Sequence, residues 1–213
     1  MRFLITAGPT REHIDPARFL SNPSSGRMGF AVAAAAVAAG HETVLVSGPS
    51  ALRTPRGVER VDVVSAREMA AAVSARIGAA DILVMAAAVA DWRPEFQSPV
   101  KLKKSGMRRV LRLVRNPDIL SSLSGVKGNR VFVGFAAETG DPEAEALRKL
   151  RAKNLDFIVA NDVSAPGCGF ASVTNAVAIY ARTGGVERIR LSRKTAIARR
   201  IVAMAAEAAE ARL

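Results

Sequence analysis

Arg18-Phe-Leu-Ser-Asn-Pro-Ser-Ser-Gly-Arg-Met-Gly29 decides the reading of this chain. It follows an apolar run, Phe3 to Ala7, and a Gly8-Pro-Thr10 turn. It leads into an alanine- and valine-rich helical pattern, Phe30 to Ala39, that stops at Gly40. The order is strand, loop, helix. Backbone N–H groups at a helix start lack partners, and the helix dipole favours an anion there. Ser24 and Ser25 add hydroxyl groups, and Gly26 and Gly29 would let a ligand come close to the backbone. The loop reads as a phosphate cradle with Asn22 and Arg18 beside it. It carries neither G-x-G-x-x-G nor the Walker-type G-x-x-x-x-G-K-S/T, so it points to an anionic ligand other than at a dinucleotide or Walker site.

Outward from this loop, strand and helix patterns alternate almost throughout. The strand expectations are Arg2–Ala7, Thr43–Ser47, Arg60–Val64, Asp81–Ala86, Val110–Val114, Arg130–Phe135 and Asp156–Ala160. Ala176–Ala181 and Glu187–Leu191 flank Thr183-Gly-Gly185, a hairpin signal. Helices are expected over Met28–Ala39, Arg67–Ile77, Pro117–Leu123, Pro142–Lys153 and Lys194–Ala209. Ser65 and Glu68 have capping-box spacing. Asn116 and Asp141 each stand before a proline, as caps of the helices that follow. This alternation implies an α/β fold: a Rossmann-like, doubly wound, mostly parallel sheet with a C-terminal antiparallel hairpin. No linker or repeat divides the chain, so residues 1–213 are expected to form one domain. Two long irregular stretches, Asp91 to Gly106 and Asn161 to Asn175, are the candidates for functional loops.

Ligands of doubly wound sheets bind at the C-terminal ends of the strands. Five strand ends are expected to present small or polar residues there. They are Gly8 with Arg18, Asn22, Ser24, Gly26 and Gly29; Ala86-Ala-Ala-Val-Ala-Asp91; Asn116-Pro-Asp-Ile-Leu120; Phe135-Ala-Ala-Glu-Thr139; and Asn161-Asp-Val163. Larger side chains at Ala86 to Ala88 would obstruct a ligand, although small residues there also suit tight strand-on-helix packing. Lys149 and Lys153 share one helix face and would meet a nucleotide if that face borders the crevice.

Composition narrows the classes. Lys plus Arg number 31 against 19 Asp plus Glu, a net charge of +12. Lys101, Lys103, Lys104, Arg108, Arg109, Arg112 and Arg115 fall in one segment without an acid or an aromatic residue. That concentration suits a small polyanion, and no aromatic is present to stack on bases. Nucleic acid is not an expected partner. No apolar run approaches a membrane span, so no membrane partner is expected. The N-terminus runs directly into a strand pattern without a cleavable signal, and the expected location is cytoplasmic. The single cysteine, Cys168, excludes an internal disulfide and a Cys-based metal cluster, and reads as a passive loop residue. The lone tyrosine, Tyr180, is followed four residues later by Gly184, so the Tyr-x-x-x-Lys pair of a nicotinamide reductase is missing.

Gly8-Pro-Thr-Arg-Glu12, Asp15-Pro-Ala-Arg-Phe-Leu-Ser-Asn-Pro-Ser-Ser-Gly26, Ala86-Ala-Ala-Val-Ala-Asp91, Lys101-Leu-Lys-Lys104, Asn116-Pro-Asp-Ile-Leu120, Gly134-Phe-Ala-Ala-Glu-Thr139 and Ala160-Asn-Asp-Val163 together resemble the phosphopantothenoylcysteine synthetase family. The resemblance covers nearly the whole chain, in the family's order. It implies a ligase of coenzyme A biosynthesis that joins 4′-phosphopantothenate to L-cysteine through an acyl-cytidylate, using CTP with Mg2+ and releasing CMP and pyrophosphate. It further implies a homodimer, and association or fusion with a flavin-dependent phosphopantothenoylcysteine decarboxylase.

Residue roles follow from the same resemblance. Asn22 and Lys101 are implied to be catalytic, Asn22 holding the acyl-nucleotide for attack by cysteine and Lys101 helping to form it. Arg18, Asn22, Ala87 and Asp91 are implied to bind substrate, Arg18 reaching into the neighbouring subunit's site. Gly8, Ser24, Gly26, Gly29, Asp91, Lys101, Pro117, Asp118, Ile119, Leu120, Phe135, Lys149, Lys153 and Asn161 are implied to bind the nucleotide. Metal ligands are not assigned. His13 stands where the family pattern has proline and has no second ligand near it in sequence.

Overall fold

The computed structural model describes residues 1–104, 110–170 and 172–212. Its main sheet has eight strands: β1 (Arg2–Ala7), β4 (Glu42–Ser47), β5 (Glu59–Asp62), β6 (Ile82–Met85), β9 (Val131–Glu138), β10 (Phe157–Asp162), β11 (Thr174–Ala181) and β12 (Val186–Arg193). They lie in the order β12-β11-β10-β9-β6-β1-β4-β5. From β5 to β10 every neighbour pair is parallel, whereas β11 and β12 add an antiparallel edge. Strand order reverses between β1 and β6, and a doubly wound sheet opens its ligand crevice at that reversal.

Helices α1 (Arg27–Ala38) and α5 (Lys194–Glu210) cover one face of the sheet. Phe30, Val32, Ala36, Ile197, Ile201 and Ala205 pack there on Phe3, Ile5 and Val133. Helices α2 (Ala66–Ser74), α3 (Ile119–Ser122) and α4 (Glu143–Ala152) cover the other face, through Met69, Val73, Leu120 and Leu150 on Leu4, Leu83 and Phe132. Buried on both faces, the central strands read as continuous apolar runs. Alanine along α1 and α5 lets these two helices pack against each other and the sheet closely.

Three expectations need correction. The segment Val110–Val114 is not a main-sheet strand. Only β8 (Leu113–Arg115) pairs, antiparallel with β7 (Trp92–Pro94), in a separate two-stranded ribbon. The stretch before α1 is not all loop, since β2 (Arg11–Asp15) and β3 (Arg18–Ser21) form a hairpin. Asn116 does not cap α3. Asp118 does, accepting from the Ser121 amide at 3.1 Å, while Asn116 Nδ2 donates to the Ala90 carbonyl at 2.8 Å. The Ser65 cap is present, its Oγ accepting from the Glu68 amide at 3.2 Å while Glu68 Oε2 accepts from the Val64 amide. Asp141 Oδ1 accepts from the Glu143 amide at 3.0 Å at the start of α4.

Candidate active site

At the C-terminal ends of β1, β6, β9 and β10 lie two adjoining chambers. The first, of about 470 Å³, is lined by Ala87, Ala90, Trp92, Arg115, Asn116 to Leu120, Lys149 and Lys153 among others. The second, of about 300 Å³, is lined by Asn22, Ser24, Gly26, Arg27, Ala86 to Ala88, Asn161, Asn175 and Lys194 among others. Ala87, Val89, Asp91 and Phe135 line both, so the chambers meet over the end of β6.

The β1 and β6 loops are laced together at this junction. Ala88 N–H donates to the Gly8 carbonyl at 2.9 Å, and Thr10 N–H donates to the Ala88 carbonyl at 3.3 Å. Asn22 Nδ2 donates to the carbonyls of Ala88 at 3.1 Å and Val89 at 3.3 Å. The side chain of Asn22 therefore fixes the wall shared by the chambers.

Two cations of the first chamber are tied to carboxylates. Lys149 Nζ meets Glu138 at 2.6 Å and Glu145 at 3.3 Å. Burial opposes its charge, but the two carboxylates outweigh burial and hold its pKa above the ordinary lysine value. Lys153 Nζ meets Asp118 at 2.9 Å. Burial works against the Asp118 carboxylate, yet hydrogen bonds from Lys153 and Ser121 outweigh it and keep its pKa below the ordinary value. Arg115 lies over the Trp92 ring, 5.4 Å from its centroid. The chamber so offers an aromatic and apolar lining with cations and carboxylates at its rim, the mixture that suits a nucleoside.

The structure brings together most of the residues singled out in the sequence. Pro117, Asp118, Ile119, Leu120, Lys149 and Lys153 line the first chamber, Asn22, Ser24, Gly26 and Asn161 the second, and Ala87, Asp91 and Phe135 both. Gly8 and Gly29 line neither. A Cβ on Gly29 would stand 2.5 Å from Ala7 Cβ and 2.7 Å from the Thr6 carbonyl, so this glycine serves helix-on-strand packing and not ligand approach. Gly8 has φ +77°, and its Cβ would lie 2.9 Å from the Gly48 carbonyl. Only Gly26, at φ +82°, takes the left-handed turn directly beneath the second chamber.

Arg18 and Lys101 also lie outside both chambers. Arg18 pairs with Asp15 at 2.5 Å and donates to the Leu102 carbonyl at 2.7 Å. The Arg18 hydrogen bond pushes the Asp15 carboxyl well below the usual carboxylate range. Lys101 is exposed on a loop fastened to the hairpin through Ser98 N–H to the Ile14 carbonyl and Leu102 N–H to Asp15 Oδ2. Of the basic segment around it, Arg108 and Arg109 fall outside the described residues, as does the end of the Asp91 to Gly106 stretch.

Among the lining residues not singled out as site residues are Arg27, Asn175, Lys194 and Trp92. Arg27 sits within the opening motif, one residue before the expected helix start at Met28, and in the structure it opens α1. Lys194 read as an ordinary helix start. Among the described residues, no three His, Cys, Asp or Glu side chains gather in a metal-holding cluster. No helix there is long and apolar enough to cross a membrane.

Residues 1–208 match the DNA/pantothenate metabolism flavoprotein C-terminal domain family. The chain belongs to this family. It is 48% identical over 188 residues to the coenzyme A biosynthesis bifunctional protein CoaBC of Escherichia coli, an alignment covering 86% of this chain and 46% of that protein. It is also 48% identical over 202 residues to the protein of the same name from Vibrio vulnificus, covering 93% of this chain and 50% of the relative. The chain spans about half the length of these curated relatives. A crystal structure of the C-terminal domain of CoaBC superposes with a TM-score of 0.84 at 42% identity, over 99% of this chain and 96% of that one. The α/β architecture with its antiparallel edge is that of this family's solved domain.

Proposed function

We propose that this domain joins 4′-phosphopantothenate to L-cysteine, with CTP as the activating nucleotide, in coenzyme A biosynthesis. The observation that carries the reading is the pair of chambers sharing Ala87, Val89, Asp91 and Phe135 at the strand reversal. A nucleoside in the first chamber puts its phosphates over that junction, toward the α1 start and the second chamber. The relatives named for coenzyme A biosynthesis support the pathway.

A carboxylate is a poor acyl donor because it would have to expel oxide. In the proposed first step a carboxylate oxygen of phosphopantothenate attacks the α-phosphorus. The bond from that phosphorus to the β-phosphate oxygen breaks, and pyrophosphate departs. In the second, the cysteine amine attacks the acyl carbon, the acyl–oxygen bond breaks, CMP leaves, and the amine gives up a proton. Both steps gather negative charge, which fixed cations and helix N-termini offset without reorganisation. Asn22 keeps the Ala88–Val89 wall in place, Ser24 and Gly26 form the phosphate loop, and Lys101, outside both chambers in the free protein, is the cation we assign to the reacting phosphate.

Magnesium fits the donors present. Asp91 brings a carboxylate to the rim of both chambers, and Mg2+ bound with a triphosphate needs only one or two protein carboxylates. When bound, it would neutralise phosphate charge.

A homodimer completes the proposal. Arg18 reaches neither chamber of its own protomer and borders a recess lined by Phe96, Val110 and Leu111, which are exposed apolar side chains. Such a patch is an interaction surface by composition. A flavin-dependent decarboxylase, fused or associated, would supply the other half of the bifunctional relatives, and we place the reaction in the cytoplasm.

The test is incubation with magnesium, phosphopantothenate and each nucleotide separately, without cysteine, followed by mass analysis. An acyl-cytidylate with CTP, converted to product when cysteine is added, is the expected result. Absence of any acyl-nucleotide with any of the nucleotides overturns the reading. Mixing impaired Arg18→Ala and Asn22→Asp subunits tests the dimer: activity above that of either variant alone is expected, and none despite proven subunit exchange argues that both residues serve one protomer.

A further inference from the structure

Lys194 opens α5 beside the phosphate loop and lines the second chamber. It is only 7% exposed. Its Nζ donates to the carbonyls of Gly169 and Phe170, both at 3.3 Å. Ser25 Oγ donates to the same Phe170 carbonyl at 3.1 Å, so one oxygen joins the lysine to the loop before α1. Among the described residues, no carboxylate lies within ion-pair distance of Lys194. The other buried lysine, Lys127, meets Asp156 at 2.9 Å. A buried charge without a counter-charge is costly, and two long bonds to neutral carbonyls leave a third ammonium donor for an anion.

The helices repeat this imbalance. Helices α2 and α3 begin with side-chain caps, and α4 begins with Glu143 and Glu145. Helices α1 and α5 have neither a side-chain cap nor an acid in the first turn, and open on Arg27 and Lys194. Cations at helix starts oppose the dipole. Both line the second chamber, whose one lining acid, Asp91, stands at the junction with the first.

We propose that Lys194, together with Arg27, binds the two terminal phosphates of the nucleotide and holds the pyrophosphate as it leaves. The assignment rests on the function proposed above. When the bond from the α-phosphorus to the bridging oxygen breaks, its electron pair stays on that oxygen. The new charge meets an ammonium already in place, with no proton transfer required. Phosphopantothenate and cysteine also carry anionic groups. Pyrophosphate is favoured because it concentrates the most charge and because the Phe170 carbonyl ties Lys194 to the phosphate loop.

The test compares wild type with Lys194→Met and Lys194→Gln. The glutamine keeps N–H donors for the Gly169 and Phe170 carbonyls, should the methionine variant fail to fold. Affinities for inorganic pyrophosphate with magnesium and for CMP are measured by thermal shift and calorimetry, and KM is measured for all three substrates. Pyrophosphate affinity is expected to fall at least tenfold with CMP affinity unchanged, and KM for CTP to rise at least tenfold. The unliganded melting temperature should stay level or rise in Lys194→Met, because a desolvated charge has been removed. Unaltered pyrophosphate affinity overturns the proposal, as does a KM rise confined to phosphopantothenate or cysteine. If wild type makes the acyl-cytidylate and the variants handle pyrophosphate normally, the Lys194 assignment fails while the function stands. If wild type makes no acyl-nucleotide, both fall.

Discussion

The two ends of the sheet treat charge in opposite ways, and α5 runs between them. At the foot, where β10 begins, Asp156 meets Lys127 at 2.9 Å and Arg212 at 2.7 Å and accepts from the Phe132 amide at 2.7 Å. Lys127 also donates to the Asn154 carbonyl at 2.6 Å. At the crest, Lys149 and Lys153 of the first chamber are paired with carboxylates, but in the second chamber Lys194 finds only carbonyls, and α1 and α5 start without an acid. The foot is internally satisfied and therefore structural. The second chamber at the crest leaves cations and backbone donors for something the protein does not itself contain, and that asymmetry marks the binding end more specifically than net charge does.

The largest effect is expected at the foot. Asp156→Ala strands buried Lys127 and releases Arg212 and the Phe132 amide, and breaking a buried pair from one side costs about 3–5 kcal/mol. Denaturant unfolding should show that loss. A loss well below ~1 kcal/mol would remove the contrast with the crest.

Next comes Lys101, the loop cation assigned to the first half-reaction. Lys101→Ala should slow pyrophosphate release in the first half-reaction on the order of a hundredfold or more, as removal of a group meeting developing phosphate charge does. Lys101 is exposed, so the unfolding midpoint should hardly move. Pyrophosphate release at the wild-type rate would show that the crest works without it.

Asn22→Asp should have a smaller effect, confined to the second half-reaction. Asn22 donates to the Ala88 and Val89 carbonyls, and an aspartate, which only accepts, would push against both. The shared wall moves while the fold survives. We expect acyl-cytidylate to accumulate and transfer to cysteine to drop by roughly tenfold or more, about the worth of the lost hydrogen bonds. Quench and mass analysis separates that outcome from normal product yield.

Much of the main sheet was legible because its central strands are apolar on both faces and its helices are periodic. The β2–β3 hairpin was not. Its inward positions include Glu12 and Asp15, which are buried, so the apolar alternation of a strand is disguised by acids. Glu12 accepts from the Ala66 amide at 2.9 Å and Asp15 from Ala17, Arg18 and Leu102, contacts visible only once the chain is folded. The Val110 segment misled in the other direction. Val110, Leu111, Leu113 and Val114 make a nearly continuous apolar run like that of a buried strand, yet Val110 is 86% exposed and faces the proposed subunit interface. At the site, the motif residues could be read from the chain, but Lys194 could not, because the absence of a partner is a property of three dimensions.

The contrast between foot and crest also sets two limbs of the pH–stability curve. Burial disfavours the Asp156 carboxylate, but Arg212, the Phe132 amide and Lys127 outweigh it, and its folded pKa lies below the ordinary value. The unfolded chain then binds more protons in acid. The stabilisation from Asp156 is fully present above the unfolded value of about 3.9 and is lost as pH falls through the folded one. Lys194 is opposite in consequence. Burial first, and then the neighbouring Arg27 charge, lower its pKa, against a smaller opposing influence from Cys168. Its charge destabilises the unliganded fold below the folded pKa, and that penalty is relieved as pH rises toward the unfolded value of about 10.4. Melting temperatures across pH for wild type, Asp156→Asn and Lys194→Met separate the two. Asp156→Asn should flatten the acid fall, and Lys194→Met the alkaline gain, with other titrating groups cancelling in each difference. Saturating pyrophosphate should stabilise wild type more than Lys194→Met at neutral pH, since it supplies the counter-charge that the crest lacks. Parallel alkaline limbs in wild type and Lys194→Met would mean that Lys194 is already satisfied by its two carbonyls, and the two ends of the sheet would differ in geometry alone.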